Sequence, residues 1–474
     1  MDLHLNNFFG EMAMTDNLKE MMERARAAQK VIEFWPQEKV DEMVLAVGWE
    51  SYKRETAEAC ARLAVDETGL GVYEDKVIKH QKKTLGVVRD LQGVKTVGVI
   101  EEDKKLGLVK IAKPVGVIGA ITPMTNSSST MPCNGLPILK TRNAVIFSPH
   151  PKARKTCEYI CTEMRKGLKK VGAPEDLVLN IKEPTMELSQ ELMGMADLVL
   201  ATGGAGVVKV AYSSGKPAYG VGAGNATVIV DESANLDETA VKIFRGKTFD
   251  NATSCSAENN IIIHESIFEP LLVGLKKQGG YLAIGEERAK LKAAMWPDGS
   301  HLSAKIIAKS VKTITAEAGI TVPDGTTFIM VMGEHIGPKD MFSAEKLSPV
   351  MTLWKYQNFS KAVQMVIDIT AFSGYGHSCG IHSTNEEHIM ELAMKAKVSR
   401  MMVRQPQSVG NSGDWANGMA FTMTLGCGTW GGNITTENIT WKHFLNVTWV
   451  SYPIPPVIPD PEVLFASHFK KYGK

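Results

Sequence analysis

KPVGVIGAITPMTN, residues 113–126, decides the fold class. Its apolar core VGVIGAIT (115–122) has the length and β-branched content of a buried strand, and Pro123 breaks it into a polar loop. The same pattern recurs downstream. NAVIFSP (143–149) precedes a helix at 151–170, ADLVLATG (196–203) precedes another at 205–213, and ATVIV (226–230) closes the series. Strands alternating with helices predict βαβ units and a largely parallel, doubly wound α/β sheet of the Rossmann type. Upstream, residues 17–35 and 38–68 carry apolar residues at helical spacing until Gly69 and Gly71, so residues 1–90 read as a helical layer. TVGVIEEDKKLGLVKIAK (96–113) is two β-rich runs around a charged turn, a hairpin. A second β/α series begins at Asn260 with NIIIHESI, TTFIMVM, VMTLWKY, CGIHS and RMMVRQ, a second α/β domain. The tail FLNVTWVSYPIPPVIPDP is strand-like and then proline-rich, suited to an arm across a neighbouring subunit.

The 474 residues balance 53 Lys and Arg against 52 Asp and Glu, for a net charge of +1. That balance gives no basic field for nucleic acid or an anionic membrane. No long uncharged apolar run predicts a membrane helix, and MDLHLNNFFGEMAM lacks the features of a secretory leader. A cytoplasmic enzyme of two or more domains is expected. Seven scattered cysteines do not form a disulfide framework. Cys157, Cys161 and His150 lie near one another in sequence, but no second ligand pair completes them, so no metal is expected.

Four loops combine glycine, proline, asparagine or a nucleophile. In TFDNATSCSAENN (248–260), Cys255 has small neighbours that leave room for a substrate, and a thiolate adds readily to a carbonyl carbon. Taken alone, the fragment reads equally well as an inert half-buried thiol. In ITPMTNSSST (121–130), Asn126 is a candidate donor to an oxyanion, with an ordinary Asx turn as the alternative. ATGGAGVVKVAYSSGKP (201–217) and GVGAGN (220–225) place glycines between strand and helix, as phosphate cradles do, without completing G-x-G-x-x-G. LGCGTWGGNITTENITW (425–441) holds Cys427, a rival nucleophile or a close-packed loop, and His377 in GYGHSCG is a proton relay or a turn histidine.

In this order, KPVGVIGAITPMTN, SPHPKARK, ATGGAGVVKVAYSSGKPAYGVGAGN, KTFDNATSCSAENN, EKLSPV and LGCGTWGGN resemble the aldehyde dehydrogenase superfamily, and within it the CoA-acylating branch, over residues 15–455. The resemblance implies that Cys255 is the nucleophile and that Asn126 and the Cys255 backbone N–H hold the oxyanion. It assigns Thr202, Gly203, Gly204 and Gly222 to the nicotinamide cofactor, NAD or NADP, with Ser148, Pro149 and His150 at its adenosine end and Glu345 at the ribose. Lys152, Arg154 and Lys155 do not settle which of the two is used. It also implies a cofactor-binding domain over 1–95 and 114–235, a catalytic domain over 236–430, and oligomerisation strands at 96–113 and 431–474, in a homodimer or homotetramer.

One departure bears on mechanism. Hydrolytic relatives carry a general-base glutamate in E-L-G-G; here the stretch is V-G-A-G-N, with Val221 in that place. Without a base to activate water, the acyl-enzyme waits for a thiol, and coenzyme A is the co-substrate that the branch uses. His377 is a candidate for assisting that transfer. The segment from Arg404 onward looks most like enzymes for small anionic aldehydes, sulfoacetaldehyde first and succinate semialdehyde second. Arg404, with Ser127 and Ser128, is the expected anion contact, against the reading of a surface arginine. A hydrolytic dehydrogenase, an acyl-phosphate reductase and a non-catalytic scaffold are the competing readings. A microcompartment shell partner is not expected, because the residues before Asn17 are short for an encapsulation helix.

Overall fold

A computed structural model describes the backbone of residues 2–474, and side chains from Asn17 onward apart from Ala205. The reading of an encapsulation helix falls on side chains outside the described residues. The strands in chain order are β1 (Gly98–Asp103), β2 (Leu108–Pro114), β3 (Val117–Thr122), β4 (Ala144–Pro149), β5 (Val178–Asn180), β6 (Leu198–Thr202) and β7 (Ala218–Val221). They continue as β8 (Ala226–Val230), β9 (Glu258–His264), β10 (Gly280–Leu282), β11 (Phe328–Met332), β12 (Val350–Tyr356), β13 (Gly376–His382), β14 (Val398–Val403) and β15 (Leu445–Ser451).

The first sheet has the order β5-β4-β3-β6-β7, all parallel. Chain order runs outward from β3 in both directions, which opens a crevice at the carboxyl ends of β3 and β6. The second sheet is also parallel, in the order β10-β11-β12-β9-β8-β13-β14. Its strands read as unbroken apolar runs because both faces are covered. Val228, Val230, Ile261 and Ile263 point into one core layer, while Ile229 and Ile262 point into the other. Each such isoleucine, fully buried, contributes about 1.5–3 kcal/mol.

β8 corrects the sequence reading. ATVIV does not close the first sheet; it pairs with β9 and β13 inside the second. The chain crosses over at Gly222–Asn225, and the Asn225 amide fixes the crossing. It donates to the Ser343 carbonyl at 2.8 Å and accepts from Asn260 Nδ2 at 3.1 Å, both on the second unit. The boundary between the two α/β units therefore falls before residue 226 rather than at 235.

The hairpin β1–β2 forms as expected and takes β15 as its third, antiparallel strand. Two helices frame the site. Ser127–Lys140 is buried along its whole length. Tyr73–Leu91 turns Lys76, Lys79 and Lys83 inward, at i, i+3 and i+7 on one face. Among the described residues no helix is long and apolar enough to cross a membrane.

Candidate functional site

The carboxyl ends of β3, β4 and β6 face the amino ends of β8, β9 and β13, and a cavity of about 490 Å³ lies between them. This arrangement follows from the two sheets. Residues just after strands of the first, Asn126, His150 and Gly204, meet residues just before or at the start of strands of the second, Gly222 and Cys255.

Cys255 stands in a tight turn, closed by the Ala257 N–H donating to the Ser254 carbonyl at 3.0 Å, immediately before β9. It is the one half-buried thiol of seven; the other six are buried. Its Sγ lies 3.1 Å from Nε2 of His377, the second residue of β13. β8 runs between β9 and β13, and Gly224, just ahead of it, lets the two residues meet. A Cβ there would run into the Cys255 carbonyl and the imidazole. Burial pushes the Cys255 thiol up to about 12. Burial, reinforced by the nearby Arg400, pushes His377 down to about 3. At neutral pH the pair is thus an uncharged thiol beside an uncharged imidazole. Nδ1 of His377 lies 2.9 Å from Ser378 Oγ, and the tautomer donating there leaves the Nε2 lone pair on the sulfur.

Asn126 caps the helix Ser127–Lys140. Its Oδ1 accepts from Lys79 Nζ at 2.8 Å, so the amide N–H₂ is the free end. The Nδ2 contacts, Thr125 Oγ1 and the Thr253 carbonyl, are both long at 3.4 Å, which leaves that donor available beside Cys255. Lys79 is itself held by the buried Asp250 and by Thr253 Oγ1. The Cys255 backbone N–H lies beside its own sulfur, where it favours the thiolate. Together these bring a thiol, an imidazole and a side-chain amide donor to one end of the cavity.

On the opposite wall, Thr202, Gly203 and Gly204 lead into the helix Ala205–Tyr212, whose amino end points at the cavity. A Cβ at Gly204 or Gly222 would meet nothing within 4 Å, so both leave open floor in the cavity. Pro149 and His150 also line the cavity, and Glu345 accepts from the Gly224 N–H at 3.2 Å. Burial raises Glu345 to about 8, and it is the one carboxylate in the lining. Val221 lines the same floor. A dinucleotide fits this largely apolar, glycine-floored crevice at a switch point of strand order.

Four expected contacts fall elsewhere. Ser148 is buried within β4 and its hydroxyl pairs with Ser189 Oγ at 2.8 Å, not with the cavity. Ser127 and Ser128 are buried in the first turn of their helix and line no described cavity. Arg404 lies beyond the carboxyl end of β14, whereas His377 opens the neighbouring β13. It is exposed and donates to the Ser383 carbonyl at 2.8 Å. A parallel sheet puts these two residues at opposite ends of the strands. The reasoning from sequence missed Lys79 and Arg400. Arg400, at the start of β14, donates to the His377 carbonyl at 3.0 Å and to the Gly426 carbonyl at 2.8 Å, which ties β13 to the loop bearing Cys427. The inward lysine spacing of KVIKHQKK (76–83) was the available signal for Lys79.

The profile of the aldehyde dehydrogenase family matches residues 10–419. A sulfoacetaldehyde dehydrogenase of Acholeplasma sp is 48% identical over 95% of this chain and 94% of its own. An acylating sulfoacetaldehyde dehydrogenase of Bilophila wadsworthia is 47% identical over 96% and 99%. An acetylating aldehyde dehydrogenase from Geobacillus thermoglucosidasius superposes with a TM-score of 0.91 at 36% identity, over 95% of this chain and 99% of that one.

Proposed function

The chain belongs to the aldehyde dehydrogenase family, and from that premise we propose that it oxidises sulfoacetaldehyde with NAD(P)⁺ and coenzyme A to sulfoacetyl-CoA. The observation that carries this reading is the Cys255–His377 contact at 3.1 Å, at the edge of a cavity whose single carboxyl burial raises to about 8.

The Cys255 proton passes to His377 Nε2 as sulfur adds to the aldehyde carbon. The carbonyl oxygen gains negative charge, and Asn126 Nδ2 with the Cys255 backbone N–H stabilise it. Thr202, Gly203, Gly204 and Gly222 hold the nicotinamide end of NAD(P)⁺, with Pro149 and His150 towards the adenosine and Glu345 at the ribose. When bound, this cofactor supplies the two-electron acceptor that leaves a thioester on Cys255. His377 sheds its proton to solvent and is neutral again, since its burial disfavours the charged form. It then takes the proton of the CoA thiol; the CoA sulfur attacks the thioester carbon, the C–S bond to Cys255 breaks, and the proton returns to Cys255. Val221 stands where a dedicated base for water would, and His377 is left to the CoA thiol, which is far more acidic and more nucleophilic than water.

The three-stranded sheet, with Val99 and Trp449 exposed on it, reads as the contact to a second copy in a homodimer or homotetramer. Residues 1–95 and 114–225 then serve the cofactor, and 226–430 the nucleophile. The cytoplasm is the expected compartment. The test is NAD(P)H formation from sulfoacetaldehyde with and without CoA. Sustained turnover with CoA, and a single burst without it, is expected; full turnover without CoA would mean that water resolves the thioester.

A further inference from the structure

Asn126 and Met423 form a wall shared between the large cavity and a smaller one of about 60 Å³. Ser254 also lines the small one, while the next residue, Cys255, lines the large one, so the loop at 254–255 passes from one cavity to the other. Four cations surround it, Lys79, Lys82, Lys83 and Arg245, and no carboxylate does. Two of the four are neutralised from behind. Asp250 takes Lys79, and Asp414 pairs with Lys82 at 2.6 Å.

Among the described residues the other two form no ion pair with a carboxylate. Lys83 Nζ is buried and donates to the carbonyls of Val409, Ser412 and Gly413 at 3.5, 3.0 and 2.7 Å; burial brings its pKa down to about 7, so it is only partly charged at neutral pH. Arg245 is exposed in the last turn of the helix Leu236–Thr248, and among the described residues no acid pairs with it. A third observation points to a ligand. Ser408 is only 6% exposed, its hydroxyl has no hydrogen-bond partner, and it lies in the cavity wall. A buried hydroxyl left idle in a cavity that also presents a guanidinium without an acid partner is the arrangement an anion satisfies.

We propose that this small cavity holds the anionic tail of the aldehyde, a sulfonate or carboxylate on a short chain, and makes the enzyme selective for charged over neutral substrates. Arg245 and Ser408 contact the anion. Lys83 is a positioning residue: it clamps the segment that carries Ser408 by three backbone carbonyls. The narrow volume excludes long tails. The assignment replaces Arg404 and rests on the reading of Cys255 as the nucleophile.

The test pairs sulfoacetaldehyde with propionaldehyde, a neutral aldehyde of similar length, in the wild type and in Arg245→Gln and Ser408→Ala, with ethanesulfonate as a non-reacting probe. In Arg245→Gln the ratio of kcat/KM for sulfoacetaldehyde over propionaldehyde falls about 10- to 100-fold, mostly through KM. Ethanesulfonate competes with propionaldehyde in the wild type and loses that competition in the variant. A ratio unchanged in both variants, or an equal loss on both aldehydes, overturns the proposal. The function proposed above fails separately. If the wild type turns over no sulfoacetaldehyde, yet ethanesulfonate competes through Arg245, the anion site stands and the substrate is another short anionic aldehyde.

Discussion

The two cavities that share Asn126 are built on opposite principles. The larger, about 490 Å³, is floored by glycines and walled by apolar side chains, and burial raises its one carboxyl to about 8. The smaller, about 60 Å³, is ringed by cations and holds an unpaired hydroxyl. Backbone and apolar surface suit a cofactor whose chemistry does not change from one aldehyde to the next. Uncompensated charge suits a substrate tail that must be told apart from its neutral analogues. On the proposed reading the reaction runs at the wall between them, and variants can be sorted by which side they damage.

Cys255→Ala removes the group both sides serve, and turnover of every aldehyde falls by about 10⁴-fold or more, measured as NAD(P)H release. NAD⁺ binding to that variant, followed by fluorescence, persists. Asn126→Ala damages the wall itself. It lowers kcat about 10²- to 10³-fold for charged and neutral aldehydes alike. Equal losses would place Asn126 on the reaction, and a loss confined to anions would move it to the small cavity. The uncharged resting pair makes a third claim. Because burial holds the thiol near 12, its thiolate fraction rises throughout the working range. Alkylation of Cys255 by iodoacetamide should therefore accelerate about tenfold per pH unit between roughly pH 6 and 9, with no plateau. A plateau near neutrality would show an ion pair with His377 instead. The smallest effect belongs to Ser408→Ala, which costs one hydrogen bond and lowers kcat/KM for sulfoacetaldehyde about three- to tenfold, with propionaldehyde unmoved.

Much of this was legible in the sequence. VGVIGAIT, NAVIFSP and ADLVLATG became β3, β4 and β6, because a parallel strand buried on both faces needs a continuous apolar run. The same property misassigned ATVIV. A run apolar on both faces belongs equally well to either sheet, and the deciding contacts, Asn225 to Ser343 and Asn260, span 118 and 35 residues. Arg404 failed for a related reason, since periodicity locates a strand without saying which of its ends meets the site. Ser127 and Ser128 looked like free hydroxyls after a proline break, but the helix that starts there buries all its sides. The lysines of the small cavity were hidden among ordinary surface-type residues. Only the fold brings Lys79 to Asp250, 171 positions away, and Lys83 to Gly413, 330 positions away.

The three-stranded sheet has a consequence for how the chain assembles. β2 and β15 pair along seven residues, yet Pro114 and Asn446 are 332 positions apart. Closing so large a loop carries a heavy entropic cost and offers no local contacts to nucleate it, so this seam zips up late, after both parallel sheets exist. Until it does, one edge of β2 lies open while β1 covers the other, a ready template for the wrong partner. A nascent chain released before Leu445 would carry both cavities and the nucleophile but not the strand that seals that edge, and its failure would be aggregation rather than faulty chemistry.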